Sequence, residues 1–255
     1  MSQQAVNSEK VVKIITETPY LRERIDPRPG DPLYLVLSDL RIALDDVKDT
    51  RPIKVLDYGC GGSPYRRLFP LADYRRADFL ETGELDYQLD ATGYVQEESN
   101  TFDLILSTQV LEHMVDPGVC LGECWRLLKP GGTFIVSSHG SFEDHPCPSD
   151  YWRWTAQGLK HDMEKGGFKN IDIKKLTTGI RAIAFLFQRF GQTTNLPKRS
   201  LLALLLKGLS GAAEMHKKSL DCAYDRLFYG NRIVNSDVPG HNFYIVLFAV
   251  AKKPQ

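Results

Sequence analysis

Residues 55–65, VLDYGCGGSPY, close a run of apolar side chains with an acid and then with glycines. Asp57 falls at the end of a buried strand, and Gly59, Gly61 and Gly62 make the turn that follows. Glycine there permits positive φ and lets a ligand approach the backbone with no Cβ in the way. A dinucleotide fingerprint would require Gly or Ala three residues beyond Gly61, where this chain has Pro64. Pro64 suits the first turn of a helix but not the close helix-to-strand contact that a third glycine serves. A carboxylate just before the glycines would also repel a pyrophosphate. It suits a cationic ligand instead, such as the ammonium of a methionine moiety, met directly or through water.

Outward from this turn, between Pro52 and Ser138, the runs IKVLDYG, YRRADF, LDYQLD, FDLILST and TFIVSS alternate with helical or turn segments. That alternation predicts an α/β fold, a doubly wound, seven-stranded, mostly parallel sheet of the Rossmann-like kind. Asp78 ends the second run, where a carboxylate can accept hydrogen bonds from both ribose hydroxyls; the alternative is a solvated strand-end acid. Asp90 ends the third run in LDATGY, where beside the backbone of Ala91 it can receive an adenine amino group or merely start a turn. Ligands of doubly wound sheets sit at the carboxyl ends of strands, so three acids at successive strand ends say more than any one alone.

The first 50 residues read as a helical extension, with DPRPGDP followed by an apolar stripe at Leu33, Leu37, Leu40, Leu44 and Val47. Residues 51–255 form the main domain. In it, PGVCLGECWRLLKPGG reads as a helix stopped at Pro130 and a glycine pair, and Thr155 caps another that stops at Gly166 and Gly167. NIDIKKL and HNFYIVLFAVAKK read as the last two strands. Between them, residues 180–238 are too many for an ordinary connection and are expected to be a helical insertion. It is open whether that insertion is a lid over the acceptor, a packing or dimer element, or through Leu201 to Leu206 a contact with a membrane surface.

Lys plus Arg and Asp plus Glu balance at 32 each, which leaves no field to hold a polyanion and argues against nucleic acid. The five cysteines are scattered, and Cys120 with Cys124 lacks a second pair to complete a zinc site, so reduced thiols and no metal are expected. The N-terminus, MSQQAVNSEK, has no leader-like apolar run, and no stretch reaches the length of a membrane span. A cytoplasmic monomer or homodimer is the expectation.

VLDYGCGG, the acid of YRRADF, the LDA step, FDLILSTQVLEHM and WRLLKPGGTFIVSS together resemble class I S-adenosylmethionine-dependent methyltransferases, in particular the small-molecule branch related to ubiquinone-biosynthesis enzymes. The resemblance covers Pro52 to Ser138 and continues more weakly through DYWRWTAQGLKHDMEKGGF. It implies that Asp57, Gly59 and Gly61 line the methionine end of the cofactor, Asp78 the ribose, and Asp90 with Ala91 the adenine. Ser107 and Thr108 would lie under the sulfonium, with Gln109, Glu112 and His113 just beyond. The DYWR segment implies a fold role for Tyr151 and Arg153. The acceptor is then a small molecule such as a sugar or lipid precursor.

An alcohol acceptor also needs a base near the carboxyl ends of the fourth and fifth strands. His139 and His145 follow the fifth strand and are the candidates, with a structural role as the alternative for each. Tyr151, Trp152 and Trp154 either wall the acceptor pocket or belong to the core. The rival readings are a catalytically silent cofactor-binding subunit and a nicotinamide oxidoreductase, the latter disfavoured by Asp57 and Pro64.

Overall fold

The computed structural model describes residues 18–80, 85–90, 92–147, 149–193 and 201–255. Two helices, α1 (Thr18–Ile25) and α2 (Tyr34–Asp45), precede the first strand. Strands β1 (Lys54–Tyr58), β2 (Asp73–Asp78), β3 (Tyr87–Gln88) and β4 (Phe102–Thr108) then lead through helix α3 (Pro117–Leu127) to β5 (Leu128–His139). Helix α4 (Ala156–Lys165) and strand β6 (Lys169–Thr178) follow. Helices α5 (Gly179–Thr193), α6 (Leu201–Met215) and α7 (Lys217–Leu227) come next, then β7 (Ile233–Asn235) and β8 (Tyr244–Lys252). The sheet order is β3-β2-β1-β4-β5-β8-β6-β7. From β3 to β5 neighbours run parallel, whereas β8 is antiparallel to both β5 and β6, and β7 to β6.

The sheet among the described residues therefore has eight strands, one more than expected. The addition is β7, three residues at the end of the insertion that pair along the outer edge of β6. A β-branched pair, Ile233 and Val234, suits an edge strand, and covering that edge leaves β6 with no long unpaired ladder. So short a run carries no periodicity to read in advance.

Apolar runs without alternation arise because both faces of the central strands are covered. Leu56, Ile105 and Val136 pack with α3 and α4, while their neighbours Val55, Leu104 and Ile135 pack with α2 and α5 on the other side. Caps fix where the covering helices begin. The Asp116 carboxylate accepts from the Gly118 amide at 2.8 Å with Pro117 in the first turn, and Thr155 Oγ1 accepts from the Gly158 amide at 3.0 Å.

The insertion packs against α2 through charge. Arg181 of α5, fully buried, donates to both oxygens of buried Asp39 of α2 and to Asp225 of α7, which also takes the Tyr34 hydroxyl. No helix among the described residues is long and apolar enough to cross a membrane.

Candidate active site

The carboxyl ends of β1, β2, β4 and β5 open into a cavity of about 810 Å³, roofed by α1 and α2. Leu33, Val36, Leu37 and Leu40 of α2 line it, and so do Tyr20 and Arg24 of α1. No described residue of the 180–238 segment does. The helices before the domain therefore cover the cavity, and the insertion stands behind them.

At one end lies the glycine turn. Gly59 has φ +74°, and a Cβ there would sit 2.4 Å from Cγ2 of Val110, a cavity residue, so only glycine fits. Gly61, at φ +50°, has no heavy atom within 4 Å of where its Cβ would be. Its amide donates to Asp78 Oδ2 at 2.7 Å, while Asp78 Oδ1 accepts from the Leu80 amide at 2.9 Å. Burial pushes the Asp78 carboxyl up against those hydrogen bonds, and the residue faces the cavity.

Asp57 lies beneath the turn rather than in the wall. It is buried, its Oδ2 accepts the Tyr74 hydroxyl at 2.6 Å, and burial, helped by nearby Asp78, pushes its carboxyl up to about 7.

At the other end three imidazoles meet. The rings of His113 and His145 are 5.0 Å apart and those of His139 and His145 4.6 Å, while His139 stacks on Phe142 at 4.1 Å. His145 Nδ1 is 3.1 Å from Asp150 Oδ2, and burial together with His139 and His113 holds its ring down at about 4. Behind His139, its Nδ1 3.0 Å from Glu112 Oε1, the Glu112 carboxyl is fully buried. Burial alone would raise it, but the neighbouring histidines outweigh that and hold it at about 2. His113 and His145 each have a carbonyl or carboxylate oxygen at Nδ1, which fixes their tautomer, whereas His139 Nδ1 stands beside Glu112 without an aligned hydrogen bond.

Of the expected residues, Gly59, Gly61, Asp78, Thr108, His113, His139, His145 and Tyr151 line this one cavity. Ser107 is wholly buried behind Thr108. Asp90 is not in the wall: its Oδ1 accepts from the Thr92 amide, the Thr92 hydroxyl and the Tyr94 amide, the turn-starting role, and Thr92 is the cavity residue. Ala91 lies outside the described residues.

Trp154 is a core side chain whose indole N–H donates to Asp162 at 2.9 Å, and Trp152 is exposed with its N–H on the Met114 carbonyl at 2.8 Å. Neither walls the cavity; the pocket assignment of these two tryptophans gives way to anchoring of the segment before α4. The sequence reading missed Tyr20 and Arg24, whose guanidinium lies 3.5 Å from the Tyr20 ring centroid. Nothing in residues 18–25 alone signals their arrival at the site, because the packing of α1 on α2 brings them there.

The sheet is doubly wound, β1 ends in an acid followed by a glycine turn, and β8 lies antiparallel between β5 and β6, a Rossmann-like arrangement whose ligands sit at the carboxyl ends of the strands. Residues 56–136 match the family model described as a methyltransferase domain. That match covers about a third of the chain and supports an S-adenosylmethionine-dependent methyltransferase. A ubiquinone biosynthesis O-methyltransferase of Xylella fastidiosa is 34% identical over 133 residues, covering 44% of this chain and 53% of that protein. The chain spans 40% to 60% of the length of the first curated relatives it matches. Among solved structures, the [4+2]-cyclase SpnF aligns at a TM-score of 0.57 with 18% identity, covering 99% of this chain and 96% of that one. Phosphoethanolamine N-methyltransferase 2 of Haemonchus contortus aligns at 0.55 with 18% identity, covering all of this chain and 61% of the other. At such identity these two show the fold alone.

Proposed function

We propose that the chain transfers the methyl group of S-adenosylmethionine to a hydroxyl of a small-molecule acceptor, such as a sugar or a lipid precursor. One observation carries this reading: a single cavity joins the open glycine turn and Asp78 to a cluster of imidazoles backed by carboxylates. The residues fit the cofactor. Open space over Gly61 admits a ligand against the backbone, Asp78 offers a carboxylate to ribose hydroxyls, and buried Asp57 offers a charge to an ammonium. Arg24, in the cavity wall, offers a guanidinium to a carboxylate.

When bound, S-adenosylmethionine supplies an already activated methyl group, so the chain has chiefly to align the acceptor and exclude water. Apolar residues of α2 with Val110 and Met114 serve that exclusion. The acceptor's hydroxyl proton passes to the lone pair of His145 or His139, whose other nitrogen faces Asp150 or Glu112. With S-adenosylmethionine bound, its sulfonium would supply the methyl group to that oxygen and its sulfur would remain as a neutral thioether. The naming of the curated relatives as O-methyltransferases favours oxygen over nitrogen as the acceptor atom.

Calorimetric titration of S-adenosylmethionine and of NADH into the purified chain tests this. S-adenosylmethionine alone is expected to bind, and Asp78→Ala to weaken it about tenfold, the worth of one hydrogen bond to a charged group. Preference for NADH, or an affinity that Asp78→Ala leaves untouched, overturns the reading.

A further inference from the structure

We propose that helix α6 is a docking surface for a second copy of this chain, whose own α6 lies antiparallel against it. Leu204, Leu205, Leu209 and Met215 of α6 are 57–76% exposed. The helix packs on α5, and Leu206 and Ala213, on the side opposite this face, are half-buried. Large apolar side chains so exposed and so close together mark a contact surface.

The spacing of these residues says what kind of contact. Leu204, Gly208, Gly211 and Met215 follow at intervals of four, three and four, which is the seam of a helix pair. No heavy atom lies within 4 Å of where a Cβ on Gly208 or Gly211 would stand, so the middle of the seam is open. Two helices can approach closely there. In an antiparallel pair related by a two-fold axis, Gly208 faces Gly211 of the second copy and Leu204 faces Met215 of the second copy. The seam, large at its ends and small in its middle, is thus complementary to itself, as a two-fold interface requires.

Charge selects this register and this occupant. Lys207 and Glu214 are the charged residues of α6, seven positions apart on one edge of the seam. A two-fold axis across antiparallel helices brings like edges together, so Lys207 of each copy meets Glu214 of the other. On the opposite edge Leu205 meets Ala212 of the second copy. A parallel pair would set Lys207 against Ala212 and leave the charges unmatched. A lipid surface is the other occupant open to an apolar helix, but an interfacial helix carries a strongly charged face rich in cations. In α6 a single lysine is offset by a glutamate.

Size sets the strength. The 15 residues of α6 span about 22 Å. Two such helices bury on the order of 1,000 Å² in total, the threshold of a specific interface, so a reversible dimer of micromolar affinity is expected. No described residue of the insertion lines the cavity, and the pairing does not rest on the proposed methyl transfer.

Sedimentation velocity of the full chain from about 1 to 200 µM tests this, with reductant present because Cys222 is exposed. A monomer–dimer equilibrium with Kd of about 10 µM is expected. Leu204→Asp, which sets a carboxylate at each end of the seam, should weaken it about 100-fold. Lys207→Glu alone and Glu214→Lys alone should each weaken it about tenfold, and the two together should restore it to within about twofold of the parent. Such rescue reports contact between copies, because the two residues stand about 10 Å apart along one helix. Leu71→Asp, exposed in the turn before β2, should change nothing.

Thermal melts verify that each variant folds; should Leu204→Asp unfold, the charge exchange decides. A chain that stays monomeric throughout the series overturns the proposal. If that monomer instead sediments with vesicles of phosphatidylglycerol and phosphatidylcholine, the face is a lipid surface and the proposal fails equally. A dimer that Leu204→Asp leaves intact, or a charge reversal that the exchange does not rescue, also overturns it.

Discussion

Replacing Arg181 with alanine is expected to lower the unfolding free energy by about 3–5 kcal/mol, the cost of leaving buried carboxylates without their partner. Arg181 is wholly buried and holds Asp39 through Nε at 3.3 Å and Nη2 at 3.0 Å, and Asp225 through Nη1 at 2.9 Å. Asp39 has two other partners, the Thr177 hydroxyl at 2.9 Å and Arg232, whose Nε is 2.7 Å away. Even so, burial raises its carboxyl to about 6 against the pull of both arginines. Losing one guanidinium therefore leaves a charge that a single neighbour cannot carry. Urea unfolding at pH 7.5 measures the loss. A double variant, Asp39→Leu with Arg181→Met, should recover much of it, because an apolar pair of similar volume needs no solvent. A loss below about 1 kcal/mol would mean that packing alone fastens the insertion to α2.

The network also shows why some of this molecule was legible in its sequence and some was not. The strands and the glycine turn were readable because their causes are local: an acid closing an apolar run, glycines where φ turns positive, Asp116 and Thr155 where helices start. Asp78, His139 and His145 followed from the rule that sites gather at strand ends. The roof did not follow. Residue 39 meets residue 181 and Tyr34 meets Asp225 across more than a hundred positions, so no window of sequence contains the cause.

Trp154 and Trp152 failed as pocket residues for a related reason. An aromatic cluster before a helix has the same composition whether it faces a cavity or anchors on Asp162 and the Met114 carbonyl. The resemblance placed Glu112 just beyond the sulfonium, but its complete burial beside His139 is something the motif does not encode.

Asp57→Asn should have opposite effects on stability and on cofactor binding above pH 7. In the free chain the Asp57 carboxyl is lifted from 3.8 to about 7, chiefly by burial, with the Tyr74 hydroxyl opposing. A raised folded-state pKa means that the folded chain holds a proton which the unfolded chain has released. Stability is therefore full below about pH 4, falls between pH 4 and 7, and stays reduced above.

At 1.36 kcal/mol per unit the upper bound on that fall is about 4 kcal/mol, and relaxation around the ionised group brings the expectation nearer 2 kcal/mol. The carboxamide that replaces this carboxyl cannot ionise, yet its oxygen still accepts from Tyr74. The variant should match the parent at pH 4.5 and exceed it by about 2 kcal/mol at pH 8 in urea unfolding. Binding should move the other way. An ammonium near the turn favours ionised Asp57, so S-adenosylmethionine affinity in the parent should rise with pH through 7 and then level, while the variant binds more weakly with a flatter profile. Equal affinities at pH 8 would leave Asp57 a structural acid beneath the turn and place the ammonium elsewhere in the cavity. A stabilised variant that no longer binds would instead show why a charge is kept where burial disfavours it: the ligand supplies the counter-charge that the fold withholds.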